Sequence, residues 1–156
     1  MMSRVQKGLV AGVAATIAVS VLEIANQMLG PWASSFPRLL SYMVGMPDTP
    51  AVGWALHFAV GILILGPVFG VLCPRLPTDT PESKGILFAV AAFVIMGLTV
   101  APLARIGVFG LAAGFPTLAW MILTHAVFGI VLGNVYGRLV ARDRRGPVVV
   151  GGAPAV

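Results

Sequence analysis

The chain has 156 residues, of which 58% are hydrophobic and 10% charged, with a mean hydropathy of +0.99. So few charges do not solvate the surface of a soluble domain, and the composition points to an integral membrane protein. The net charge of +5 does not imply nucleic acid, because the basic residues flank apolar runs, and a single cysteine, Cys73, excludes an internal disulfide or a cysteine-built metal site.

Four apolar runs follow in order, approximately 8–30, 51–73, 85–104 and 115–136. Each is close to the ~20 residues that cross a hydrocarbon core as a helix. They predict an all-α fold, one transmembrane domain over 1–140, with a basic tail at 141–156 whose lack of periodicity predicts no fixed structure. The first run follows Arg4 and Lys7, as a secretory signal would. It is too long for one, carries Glu23, Asn26 and Gln27, and has no small-residue cleavage site after it, so it reads as a retained span.

The connection from Pro31 to Pro50 places Phe36, Leu39, Leu40, Tyr42 and Met43 around Arg38 and Ser41, which predicts a short helix in the membrane interface. The connection from Arg105 to Gly114 is rich in Gly, Ala and single large apolar residues. It can dip into the membrane provided protein covers its backbone. Basic residues then set an orientation. Arg4, Lys7, Arg75, Lys84, Arg138, Arg142, Arg144 and Arg145 lie on one side, against only Arg38 and Arg105 on the other. The bias predicts an inner-membrane protein with both termini and the middle loop cytoplasmic.

A phrase recurs. His57-Phe-Ala-Val-Gly61-Ile62 in the second run answers His125-Ala-Val-Phe-Gly129-Ile130 in the fourth. Gly66, Val68, Phe69, Gly70 and Leu72 then answer Gly133, Val135, Tyr136, Gly137 and Leu139, once Leu65 is counted as one extra residue. The starts of the first and third runs, Lys7-Gly8 and Lys84-Gly85 onward, also align, with an offset of 77 residues. These matches predict a four-helix bundle made of two parallel two-helix hairpin repeats. Gly61, Gly66, Gly70, Gly129, Gly133 and Gly137 are read as helix-packing positions. Their near-four-residue spacing lets a partner backbone approach, within the chain or in a homodimer.

Chemistry is confined to a small polar set. With the predicted topology, Glu23 lies ~10 Å, His57 ~9 Å and His125 ~15 Å from the outer ends of their helices, all in the outer half of the membrane. Gly12, Thr16, Ser20, Glu23 and Gln27 form one stripe on the first helix, which should face the bundle interior. Trp54, His57 and Gly61 share a face of the second, and the counterpart of Glu23 in the second repeat is Val100. The candidate proton or ligand site is therefore Glu23, His57, His125, Gln27 and Trp54.

Four readings of that set stay open. The polar contacts lock helices together or engage a membrane-protein partner. Alternatively, Glu23 and the histidines carry a proton or ion in a small transporter. His57 and His125 would suit bis-histidine ligation of haem b in a redox subunit. His57, His125 and Glu23 would suit a divalent metal. No cofactor or metal is expected on the first reading, and the absence of a nucleophile arrangement, phosphate loop or carboxylate pair points away from an enzyme.

The phrases Pro50-Ala-Val-Gly-Trp-Ala-Leu-His57-Phe, Gly107-Val-Phe-Gly110 and Val135-Tyr-Gly-Arg-Leu139 resemble a family of small prokaryotic four-span integral membrane proteins of unknown function. The resemblance covers most of residues 5–140 and implies histidine-bearing spans, with no activity, ligand or site residue attached.

Overall fold

The computed structural model describes residues 1–30 and 32–145, and it is all-α. Four helical segments are long and apolar enough to cross a bilayer: Arg4–Met28, Pro50–Arg75, Pro81–Leu103 and Phe115–Arg144. The first is α1 (Arg4–Met28), started by a capping box in which Ser3 Oγ accepts from the Gln6 amide at 3.1 Å and Gln6 Oε1 accepts from the Ser3 amide at 2.8 Å. A short helix, α2 (Phe36–Met43), follows.

The second span is composite. It begins as α3 (Pro50–Phe58), widens into a π-helical stretch over Ala59–Leu65, resumes as α4 (Gly66–Leu72) and ends in a 3₁₀ turn at Cys73–Arg75. The Gly66 amide donates to the Gly61 carbonyl, a five-residue step in place of the usual four. This wider turn includes Leu65, the residue counted as extra when the two histidine phrases are compared.

The third span is broken. α5 (Pro81–Leu98) starts from Thr80, whose Oγ1 accepts from the Ser83 amide, and stops at Thr99 before the single turn α6 (Val100–Leu103). Pro102 explains the break: its ring would meet the carbonyl of Leu98, four residues back, and it has no amide to donate. The run expected to be continuous over 85–104 is thus interrupted one turn from its end. α7 (Phe115–Arg144) is longer than the expected 115–136. Residues 141–144, assigned from sequence to the tail, are its last turn, and the remainder of the expected structureless tail beyond Arg145 lies outside the described residues.

Glycines determine how the hairpins close. A Cβ at Gly8 would fall on the Gly66 carbonyl, one at Gly12 on the Gly61 carbonyl, and one at Gly70 on the Arg4 carbonyl. In the other hairpin a Cβ at Gly85 would fall on the Gly129 carbonyl, and one at Gly133 or Gly137 on Pro81. Both helix pairs therefore touch backbone to backbone, which any side chain would prevent. The six packing glycines named from sequence all lie at contacts within the chain.

α1 and α7 form the middle of the bundle, with the second span packed on α1 and α5 packed on α7. The second span and α5 meet at the basic end, where the Phe69 and Phe88 rings lie 5.3 Å apart, and diverge toward the end that carries α2 and α6. The core lies near the closed end. Phe69, Leu132, Tyr136 and Phe88 pack around Ala11 and Ala15, and Tyr136 Oη donates to the Gly70 carbonyl at 3.1 Å. Lys7 and Asp143 form an ion pair at 2.7 Å, fixing the start of α1 beside the end of α7.

The two long connections at the open end are ordered by packing. α2 buries Leu39 and Leu40 and rests on α3 and α6, so it is part of the protein interior as well as an amphipathic surface helix. The 105–114 connection folds through a 3₁₀ segment at Val108–Ala113. Gly107, Gly110 and Gly114 take positive φ there, and internal amide-to-carbonyl bonds such as Ala112 to Ile106 satisfy its backbone. Phe109 covers Gly97 of α5. Protein does cover part of this loop, as its composition requires if it enters the membrane.

Candidate functional site

The stripe on α1 divides at its last member. Gly12, Thr16, Ser20 and Glu23 are buried, whereas Gln27 is exposed. Each buried polar group has its own neighbour. Ser20 is the most informative, because its Oγ lies 2.8 Å from the Thr16 carbonyl and 3.0 Å from His57 Nε2. A serine hydroxyl has one hydrogen, and a carbonyl only accepts. The hydroxyl therefore donates to Thr16, and His57 Nε2 donates to Ser20. In the neutral ring, Nδ1 is then the lone-pair nitrogen, and it is buried with no partner.

Three aromatic rings enclose that imidazole. Phe36, Trp54 and Phe58 stand edge-on to it, with centroids 5.5 to 5.8 Å away. His57 is 5% exposed. Trp54 also faces the open end, where it lines a polar pocket of about 390 Å³ together with Asn26, Gln27, Arg38 and Ser41. Of the five candidates, Gln27 and Trp54 thus share this pocket.

Glu23 is fully buried on a different side of Phe36. Its Oε1 accepts from the Phe36 amide at 3.3 Å, and its Oε2 has no partner. Trp120 lies beside the carboxyl, yet its indole nitrogen and Oε2 do not meet in hydrogen-bonding geometry. Trp32 stacks edge-on against Trp120 at 5.6 Å, and Asn26 Nδ2 donates to the Ala33 carbonyl at 3.0 Å. The carboxyl therefore sits under the chain that leads from α1 into α2.

His125 is held by its own helix. Its Nδ1 lies 2.7 Å from the Met121 carbonyl, which assigns the hydrogen to Nδ1 and the lone pair to Nε2. Its ring stands against Phe93 at 5.5 Å. His57 and His125 both line a second cavity, a cleft of about 250 Å³ between the diverging second and third spans. They share a wall without touching, and neither hydrogen-bonds to Glu23. Among the described residues no group of three His, Cys, Asp or Glu side chains lies close enough to hold a metal ion.

Sequence reasoning passed over Trp120, Asn26 and Thr124 as members of the buried polar set, although all three are buried in it. Asn26 and Thr124 are polar residues inside apolar runs, and that signal was available. Nothing in the sequence around Trp120 pairs it with Glu23, because that proximity comes from α1 packing on α7. A family model described as a family of unknown function, DUF6789, matches residues 2–146. No curated protein and no solved structure matches the chain.

Proposed function

The chain belongs to the DUF6789 family of unknown function, and for it we propose a multi-pass inner-membrane protein whose buried polar residues fasten helices together, for its own assembly or that of a membrane partner. The observation that carries this reading is that the three groups bond to three separate places and not to one another. His57 joins α3 to α1 through Ser20, Glu23 holds the entry to α2, and His125 bonds within α7. A relay would need them in sequence; a lock needs bonds that reach another element, as those of His57 and Glu23 do. No catalytic step belongs to this reading.

A duplicated hairpin accompanies the proposal. The contacts Gly8–Gly66, Gly12–Gly61 and Arg4–Gly70 of the first hairpin correspond to Gly85–Gly133, Ala89–Gly129 and Pro81–Gly137 of the second. Every α1 residue in that set is displaced by the same 77 positions as in the sequence alignment. Shared contacts under one offset support duplication more strongly than shared glycines do. Both termini are assigned to the cytoplasm from the basic residues gathered at the end where Lys7 meets Asp143.

A proton-linked role is the second reading, favoured by the unpartnered Glu23 Oε2, Asn26 Oδ1 and His57 Nδ1 inside the protein. Haem ligation by both histidines fits less well, because the Nε2 of His57 is engaged by Ser20. The test uses protein reconstituted in vesicles and carrying Glu23→Gln with His57→Ala. The assembly role predicts a lower melting temperature in detergent and no change in proton permeability. Wild-type proton flux that disappears in this variant would replace it with the second reading.

A further inference from the structure

The cleft between the second span and α5 has a wall of consistent chemistry. Its apolar part comes from both hairpins and α2, including Val60 and Leu65 of the π-helical stretch, Ile95 of α5 and Phe128 of α7. The hydroxyls of Thr99 and Thr124 and the ring of His125, which line it, are left as acceptors. Thr99 Oγ1 donates to the Ile95 carbonyl at 2.6 Å, and Thr124 Oγ1 to the Trp120 carbonyl at 3.0 Å, so each hydroxyl keeps only lone pairs for a visitor. His125 has its hydrogen on Nδ1, directed to Met121, which leaves Nε2 as a lone-pair nitrogen without a protein partner.

Two further groups line the cleft from behind. His57 Nδ1 is also a lone-pair nitrogen but is sealed from solvent, and the Thr16 hydroxyl is closed off against Gly61. No Asp, Glu, Lys or Arg contributes to the lining. A molecule that complements this wall is apolar along its length, uncharged, and brings a hydrogen-bond donor. An ordinary acyl chain brings none. An acid or amine would place a charge where nothing neutralises it.

We infer that this cleft binds a neutral lipophile bearing a hydroxyl group, a long-chain alcohol or phenol, which enters sideways from the bilayer between the second span and α5 and donates its hydroxyl to His125 Nε2. The π-helical stretch has a place in this arrangement. It supplies the wall of the second span at the level of His125, and such stretches are frequent at functional sites.

The experiment uses the full-length protein in phosphatidylcholine vesicles, exposed to a diazirine-bearing long-chain alcohol, to its methyl ether and to the matching fatty acid. Labelled peptides are located by mass spectrometry. The alcohol should label residues 60–65 and 95–99 about five-fold more than the ether, the factor one net hydrogen bond supplies. The fatty acid should label no better than the ether. His125→Phe should bring the alcohol down to the ether's level. Ala92→Phe, which fills the cleft and leaves every polar group in place, should remove labelling by all three probes. Equal labelling by alcohol and ether in the wild type overturns the inference, as does alcohol labelling that survives Ala92→Phe. Because the readout is the position and preference of labelling, its failure is separate from failure of the assembly role, which is read in melting temperature and flux.

Discussion

Both hairpins close through glycines, and they are furnished differently. In each, glycines bring the two backbones into contact: Gly8 meets Gly66 and Gly12 meets Gly61 in the first, and Gly85 meets Gly129 and Gly133 meets Pro81 in the second. The first carries the larger buried polar load, Thr16, Ser20, Glu23 and Asn26 on α1 with His57 opposite them, whereas the second buries Thr117 and Thr124 on α7. The corresponding stretch of the third span has Val100 where α1 has Glu23, and its one hydroxyl, Thr99, is exposed. The difference separates two tasks. Close backbone packing holds both hairpins, and polar groups are added where the first hairpin must also hold α2 and the chain leading to it.

The largest expected effect tests the shared part. Gly85→Ala and Gly8→Ala each place a methyl group on a backbone carbonyl of the facing helix. Each should destabilise by roughly 1–3 kcal/mol, the usual range for overpacking. Thermal melting of the purified protein in detergent checks it. Loss at one glycine and tolerance at the other would break the equivalence of the hairpins.

An intermediate effect tests the unequal part. His57→Phe removes a bond between helices and should lower stability by about 1 kcal/mol, the scale of such bonds in membranes. His125→Phe removes only a bond within α7 and should change stability by less than about 0.5 kcal/mol. If the two variants melt alike, the polar load does not distinguish the hairpins.

The smallest effect concerns the π-helical stretch. Deleting Leu65 brings Gly61 and Gly66 to a four-residue step, the spacing of Gly129 and Gly133. A regular α-helix then presents the same glycines to α1, and the melting temperature should fall less than in His57→Phe. A collapse as large as that of Gly8→Ala would show that the extra residue is structurally required.

Much of the fold was legible because its signals are local. Four apolar runs, their lengths and the glycine spacing follow from hydropathy and helical period, which each segment carries by itself. The break before Pro102 was missed, although its signal is local: a proline removes an amide and clashes one turn back wherever it stands. The candidate site was legible only as a set of residues. A buried polar side chain does advertise itself in an apolar run, as Glu23 and His57 did.

The sequence by itself determined the number of spans, the spacing of their glycines and the side on which the charges gather. Tertiary structure decided which neighbour each polar group has. Glu23 and His57, expected from sequence at similar depth, do not bond to each other; Phe36 gives its amide to one and its ring to the other. That outcome depends on how far α2 folds back and how α1 is rotated against both partners. Rotation is constrained where Gly8 and Gly12 meet Gly61, Gly66 and Gly70, residues far apart in the chain that no single stretch of sequence contains. The cleft has the same origin, for it exists because two spans that meet at Phe69 and Phe88 diverge beyond them.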